Sequence, residues 1–194
     1  MLKIILTGPE SSGKTTLARQ LAKHFNVPLV EEYARTFFEK KGNPHLSLRE
    51  YLQEDLIKIA EGQLNNELKI VNNQSPITHR LLPILICDTD LLTLKIWSNE
   101  VFENCSLELT QLIDNQLINH PLSITQHYFL CSPEGVEWEN DPLRENPYDR
   151  DRLFNIYEKE LKFYEKNYTI LRGNDNERFD KAVTKINRLL KNPA

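Results

Sequence analysis

Near the start of the chain, Gly8-Pro9-Glu10-Ser11-Ser12-Gly13-Lys14-Thr15 follows the apolar run Leu2-Lys3-Ile4-Ile5-Leu6 and precedes a helical pattern from Lys14 to Phe25. This is G-x-x-x-x-G-K-[ST], the Walker A pattern, in the strand-to-helix setting that gives it meaning. Gly8 and Gly13 allow backbone torsions that bulkier residues resist. The loop can therefore turn its N–H groups inward around phosphate oxygens, and the following helix adds its positive N-terminal end. Glu10, Ser11, Ser12 and Thr16 complete the expected nucleotide-binding stretch. Lys14 is expected to bridge the β- and γ-phosphates, with the Thr15 hydroxyl on Mg²⁺.

A loop of this kind sits on a parallel sheet, and the rest of the chain reads accordingly. Short apolar strands are expected at Leu2–Leu6, Val27–Val30, Ile84–Cys87, His127–Cys131 and Tyr168–Leu171, with helical patterns between them. Helices are predicted at Lys14–Phe25, Tyr33–Lys40, Ser47–Val71, Thr89–Asn99, Leu107–Asn119, Arg150–Lys166 and Asp175–Leu190. In the longest, Leu48, Leu52, Leu56, Ala60, Leu64 and Leu68 recur every four residues and read as a core-facing stripe. Gln74–Arg80 reads as a polar loop. The expectation is one α/β domain over residues 1–194, with five parallel strands and helices on both faces. Ligands in such sheets bind beyond the carboxyl ends of the strands, so the residues after each strand carry the functional information.

Two strand ends are acidic. The second strand leads into Glu31-Glu32-Tyr33-Ala34-Arg35 and the third into Asp88-Thr89-Asp90. Phosphoryl transfer needs an acid to hold Mg²⁺ and a carboxylate to take the acceptor's proton. Asp88 stands where a Walker B acid stands, while Glu32 and Asp90 are candidates for the base or for a substrate hydroxyl. The competing reading of each is a helix cap or first-turn acid. Glu31 is expected to point away, because neighbours in a strand alternate. After the fourth strand, residues from about 133 to 152 hold Pro133, Pro142 and Pro147 and cannot form one helix. They read as a lid carrying Arg144, Arg150 and Arg152, whose guanidinium forks suit phosphate. Arg150 and Arg152 cannot share a helix face, so at most two of the three should reach phosphate. Trp97, Trp138, Tyr33 and Tyr51 offer flat surfaces for a ring, packing being the competing use of each.

Charge narrows the partners. The 24 Lys and Arg against 28 Asp and Glu leave a net charge of −4, which argues against a broad nucleic-acid or anionic-membrane footprint. No apolar run approaches the roughly 18–20 residues of a membrane span. Met1 leads straight into a strand with no secretory cleavage site behind it. Three scattered cysteines, Cys87, Cys105 and Cys131, give neither a zinc ribbon nor a disulfide framework, and a reducing cytoplasm is expected. No N-K-x-D element follows the loop, which disfavours a GTP switch.

GPESSGKTT, EEYAR, CDTDLLTLKIW and VEWENDPLRENPYDRDRLF occur in this order. Together they resemble the ribosylnicotinamide kinase domain of bacterial bifunctional NAD-biosynthesis regulators, within the AAA-like P-loop proteins, from Lys3 to about Leu190. The resemblance implies ATP-dependent phosphorylation of the 5′-hydroxyl of nicotinamide riboside, with ATP and Mg²⁺ as cofactors and a nucleoside-like small molecule as partner. Carried over, Lys14 and Thr15 hold ATP and Mg²⁺, and Glu32 and Asp88 lie near the riboside hydroxyl and the metal. Arg35 and Asp90 join the substrate side, Tyr33 or Trp138 lies near the pyridinium ring, and Arg144 belongs to the lid. The bifunctional members carry an N-terminal adenylyltransferase domain, for which a Walker A at Gly8 leaves no room, so a stand-alone kinase is expected. Two other readings stay open from the residues alone: a kinase for another nucleoside or nucleotide, and an ATP- or GTP-binding regulatory module without an acceptor.

Overall fold

The structure, a computed structural model, describes residues 1–41, 51–73, 84–118, 124–139 and 147–191. Its centre is a five-stranded sheet: β1 (Leu2–Thr7), β2 (Leu29–Val30), β3 (Ile84–Asp88), β4 (Thr125–Cys131) and β5 (Tyr168–Leu171). The order across the sheet is β2-β3-β1-β4-β5 and every pairing is parallel. Parallel strands buried on both sides need apolar residues at both parities, and alternation then sends them to opposite faces. Leu2, Ile4 and Leu6 of β1 pack with Ile84, Ile86 and Phe129 on one face, whereas Ile5 joins Leu85, Cys87 and Tyr128 on the other.

The first face is covered by α1 (Lys14–Phe25) and α7 (Asp175–Lys191) through Leu17, Leu21, Ala182 and Ile186. The second lies under α2 (Tyr33–Lys40), α3 (Gln53–Asn73), α4 (Leu91–Phe102), α5 (Leu107–Leu117) and α6 (Arg150–Phe163). The α/β architecture expected from the strand and helix periods is the one observed. No helix among the described residues is long and apolar enough to cross a membrane.

Three local expectations are corrected. The second strand begins at Leu29, not Val27. Asn26 closes α1 in the left-handed region at φ 52°, and Val27 instead returns its N–H to Ala22. The long helix begins at Gln53, where Asp55 accepts a hydrogen bond from the Leu52 N–H at 3.1 Å; Ser47–Glu50, with Leu48, lie outside the described residues, as does the Gln74–Arg80 loop. Its four-residue stripe does not stay inside either. Four residues advance a helix by about 400°, so such a stripe drifts about 40° per step. Leu56 and Ala60 are buried, but Leu52 and Leu68 are 64% and 56% exposed. The inward line runs instead through Leu56, Ile59, Ala60 and Gln63.

Strand β1 also carries a buried cation. Lys3 is 1% exposed, and its Nζ donates to both Glu67 oxygens of α3 at 2.6 and 2.7 Å. Burial opposes the Lys3 charge, and the negative groups around it, Glu67 and Asp90 among them, more than offset that and raise its pKa. Cys87 and Cys131 are buried in strands as small apolar residues, and burial pushes the Cys131 thiol up to about 12.

Candidate active site

The phosphate loop joins β1 to α1, and its torsions explain its glycines. Gly8 has φ 135°, and a Cβ there would stand 2.6 Å from the Cys131 carbonyl oxygen at the end of β4. Gly13 has φ 77° and caps α1, and Ser11 also takes the left-handed region at φ 48°. Ser12 Oγ and Lys14 Nζ both donate to the Pro9 carbonyl, at 2.8 and 2.6 Å. The loop is thus drawn around a concave side that opens on a cleft of about 710 Å³.

Asp88, the last residue of β3, is 3% exposed and lines that cleft. Burial raises its carboxyl pKa, against the neighbouring Thr15 hydroxyl and the Lys14 and Arg19 charges. Its Oδ1 is buried with no hydrogen-bond partner among the described residues. A buried carboxylate oxygen left open costs free energy unless a ligand engages it. A hard cation beside a hydroxyl and next to phosphates meets that need, since Mg²⁺ takes few protein ligands and completes its shell with phosphate and water. Thr15 and Asp88 therefore fit the metal.

The opposite wall comes from α2 and α4. Glu32 caps α2 in extended backbone (φ −60°, ψ 118°), and Glu32, Arg35, Thr36 and Glu39 follow the helical repeat onto one face that lines the cleft. Trp97 of α4 lines the cleft with them. Glu31 lines the cleft as well and pairs with Arg19 at 3.1 Å. The expectation that it points away fails because β2 ends at Val30 and strand alternation no longer applies to Glu31. Among the described residues, Glu31, Glu32, Glu39, Glu137, Glu139 and Asp175 outweigh Arg19 and Arg35 on these walls, so this part of the cleft, outside the phosphate loop, is acidic.

Several expected site residues sit elsewhere. Tyr33 does not line the cleft; its ring packs against Gly62 of α3, where a Cβ would be 1.9 Å from it, and its N–H is held by Gln63 Oε1 at 2.8 Å. Asp90, expected on the substrate side, is 4% exposed with both oxygens engaged. Oδ1 accepts from the Leu92 N–H at 3.1 Å as the cap of α4, and Oδ2 accepts from the Tyr128 hydroxyl at 2.5 Å. Trp138 lies against the Arg150 guanidinium, 5.9 Å from ring centre to Cζ, rather than in the cleft. Tyr51 is buried between Phe38 and Phe102.

The segment expected to form a lid is described in part. Arg144 lies outside the described residues. Arg150, the first residue of α6, donates through Nη1 to the Ser11 and Val136 carbonyls at 3.1 and 3.0 Å. The Glu139 N–H meets Ser11 Oγ at 3.2 Å. Residues 136–139 thus rest on the phosphate loop. Arg152 faces the other way, forked onto Glu100 at 3.1 and 2.5 Å and onto Asp149. Sequence reasoning missed Thr36, Glu39 and Asp175 on the cleft wall, and the buried Arg178 behind the loop. The helical repeat counted on from Glu32 reaches the first two; Arg178 has no local signature.

A parallel sheet with a Gly-x-x-x-x-Gly-Lys-Thr loop between β1 and α1, and an acid at the end of β3, defines a P-loop nucleotide-binding fold. The sequence matches the AAA domain family over residues 3–178, and the chain belongs to that family. Among solved structures it is similar to NadR in complex with NR, with TM-score 0.71 and 20% identity over 96% of this chain and 50% of that one. NadR in complex with NAD and AMP-PNP gives TM-score 0.69 and 21% identity, over 96% and 48%. Deoxyadenosine kinase from M. mycoides, with products dCMP and dCDP bound, gives 0.60 and 17% over 96% and 99%. The chain spans about half the length of the NadR structures it matches. No curated protein matches it.

Proposed function

We propose that this chain is an ATP-dependent small-molecule kinase acting on the 5′-hydroxyl of nicotinamide riboside, yielding nicotinamide mononucleotide and ADP. The observation that carries the reading is the charge of the cleft: glutamates crowd walls that Trp97 also lines, next to a loop built for phosphate. An anionic pocket lined by aromatic side chains, Trp97 and Tyr157, suits a cationic ring, which the pyridinium of nicotinamide riboside supplies. The likeness to NadR with NR supports the acceptor, and the likeness to NadR with AMP-PNP supports the donor.

In this mechanism the N–H groups of Gly13 to Thr16 and the Lys14 ammonium hold the phosphates in line with the acceptor. Thr15 and Asp88 would hold Mg²⁺, which would supply charge that neutralises the phosphates. Glu32 accepts the 5′-hydroxyl proton as the new O–P bond forms and the γ-phosphoryl leaves ADP. Arg150 and the 136–139 strap keep water from the transferring group. Trp97 stacks on the acceptor ring, and Arg35 orients the ribose.

A second reading, phosphorylation of another nucleoside, is favoured by the deoxyadenosine kinase, whose chain is covered almost from end to end. A coupled ADP-release assay with Mg-ATP and a nucleoside panel separates the two. Release that depends on nicotinamide riboside and vanishes in Lys14→Ala is the expected result. Release only with a deoxynucleoside moves the substrate, and silence with ATP still bound favours a regulatory module.

A further inference from the structure

Arg178, in the first turns of α7, is 3% exposed. Among the described residues its guanidinium makes four hydrogen bonds, all to backbone carbonyls: Gly173 at 2.6 Å, Ser12 at 3.0 Å, Ser132 at 2.9 Å and Glu134 at 3.1 Å. A buried guanidinium is costly unless its N–H groups are satisfied, and here carbonyl dipoles alone do it. The three segments it joins are the turn before α7, the phosphate loop, and the chain leaving β4 toward the lid. Other bonds link pairs of these segments, the Ser132 N–H to the Leu171 carbonyl at 3.0 Å and Arg172 to Glu134 at 2.7 Å; the Arg178 guanidinium reaches all three.

The contact with Ser12 has a directional consequence. Across a planar trans peptide the carbonyl oxygen and the next N–H point in opposite directions. Drawing the Ser12 oxygen back toward α7 therefore turns the Gly13 N–H toward the concave side of the loop. A Cβ on Gly13 would stand 3.8 Å from Arg178 Nη1, so the cation lies directly behind that peptide. The bonds to Ser132 and Glu134 hold the root of the segment that rests on Ser11 at Glu139. The 132–139 segment is thus tied to the phosphate loop at two points, through Arg178 and directly.

We propose that Arg178 is a positioning residue for the nucleotide: one guanidinium orients the Ser12–Gly13 peptide and anchors the 132–139 excursion, so phosphate affinity and lid placement are set together. The inference rests on the nucleotide-binding part of the reading above and is independent of the acceptor. The test is calorimetric binding of Mg-ATP to wild type, Arg178→Lys and Arg178→Ala, with thermal melts in parallel. Arg178→Lys keeps the charge and loses the fork, and should weaken binding about 10-fold; Arg178→Ala should weaken it about 100-fold. Free guanidinium at millimolar concentration should restore affinity to Arg178→Ala without raising its melting temperature, a rescue that a merely structural residue would not show. In turnover, KM for ATP should rise while KM for the acceptor stays within about twofold. If both variants bind Mg-ATP within about twofold of wild type, or guanidinium restores the melting temperature but not affinity, the proposal is overturned. Should Arg178→Ala fail to fold, Arg178→Lys decides alone. A wild-type chain that binds no Mg-ATP overturns this proposal and the nucleotide reading together, whereas one that binds it and phosphorylates no nucleoside overturns the kinase reading only.

Discussion

On the donor side of the cleft, the phosphate loop is braced by main-chain geometry. Left-handed torsions at Ser11 and Gly13, the Gly8 contact with Cys131, and bonds onto the Pro9, Ser11 and Ser12 carbonyls hold it from several directions. On the proposed acceptor side, the wall is made of side chains from one face of α2, together with Trp97. A group bound by backbone is recognised whatever the neighbouring side chains are, so the donor half is generic to the fold. A group bound by charged side chains is recognised one residue at a time, so specificity belongs to the acceptor half.

Substitutions on the two halves should therefore separate in kinetics. The largest effect is expected from Lys14→Ala, which removes the loop's cation at the transferring group and should lower kcat about 10³-fold; near-wild-type turnover would sink the proposed roles on the donor side. Next, Glu32→Gln should lower kcat about 10²-fold while leaving the affinity for Mg-ATP untouched, read by steady-state kinetics beside calorimetry. A parallel loss of ATP affinity would erase the division between the halves. Trp97→Ala should raise KM for the acceptor about 10-fold with little change in KM for ATP, the reverse of the pattern expected at Arg178.

The smallest effect concerns the sheet beneath both halves. His127 on β4 is buried against Thr169 at 2.9 Å, and burial lowers its pKa from 6.5 to about 4. The unfolded chain therefore takes up a proton first as pH falls, so stability is full above 6.5 and is lost as pH drops toward 4. A loss of order 1 kcal/mol over the first pH unit below 6.5 is expected, and His127→Gln should flatten it in denaturant melts. An unchanged slope would assign the acid sensitivity to other groups.

What could be read from the sequence follows the same divide. The loop from Gly8 to Thr15 was legible because its meaning is local: eight consecutive residues between a strand and a helix. The strands were legible because burial on both faces demands unbroken apolar runs, as at Ile84–Cys87. The acceptor wall was legible in composition but not in direction. Whether Glu31 faces in depends on where β2 stops, and whether Tyr33 faces in depends on Gly62, far along the chain on another helix. Asp90 looked like a second site acid because its partner, Tyr128, arrives from a later strand. The four-residue stripe of α3 misled at Leu52 and Leu68 because its spacing differs from the helical repeat. Arg178 was invisible for the plainest reason: its partners are carbonyls, which every residue has.

The Lys3–Glu67 pair has a consequence for how the molecule assembles. Strand β1 carries a charge that belongs at the centre of the sheet, and its counterion lies 64 residues further along the chain, on α3. A lone buried ammonium is far costlier than a paired one, so β1 gains little by docking before α3 has arrived. Substituting Lys3 with Met should lift that dependence and speed refolding, since β1 could then pair with β3 and β4 before α3 has docked; an unchanged refolding rate would show that docking of α3 does not limit assembly.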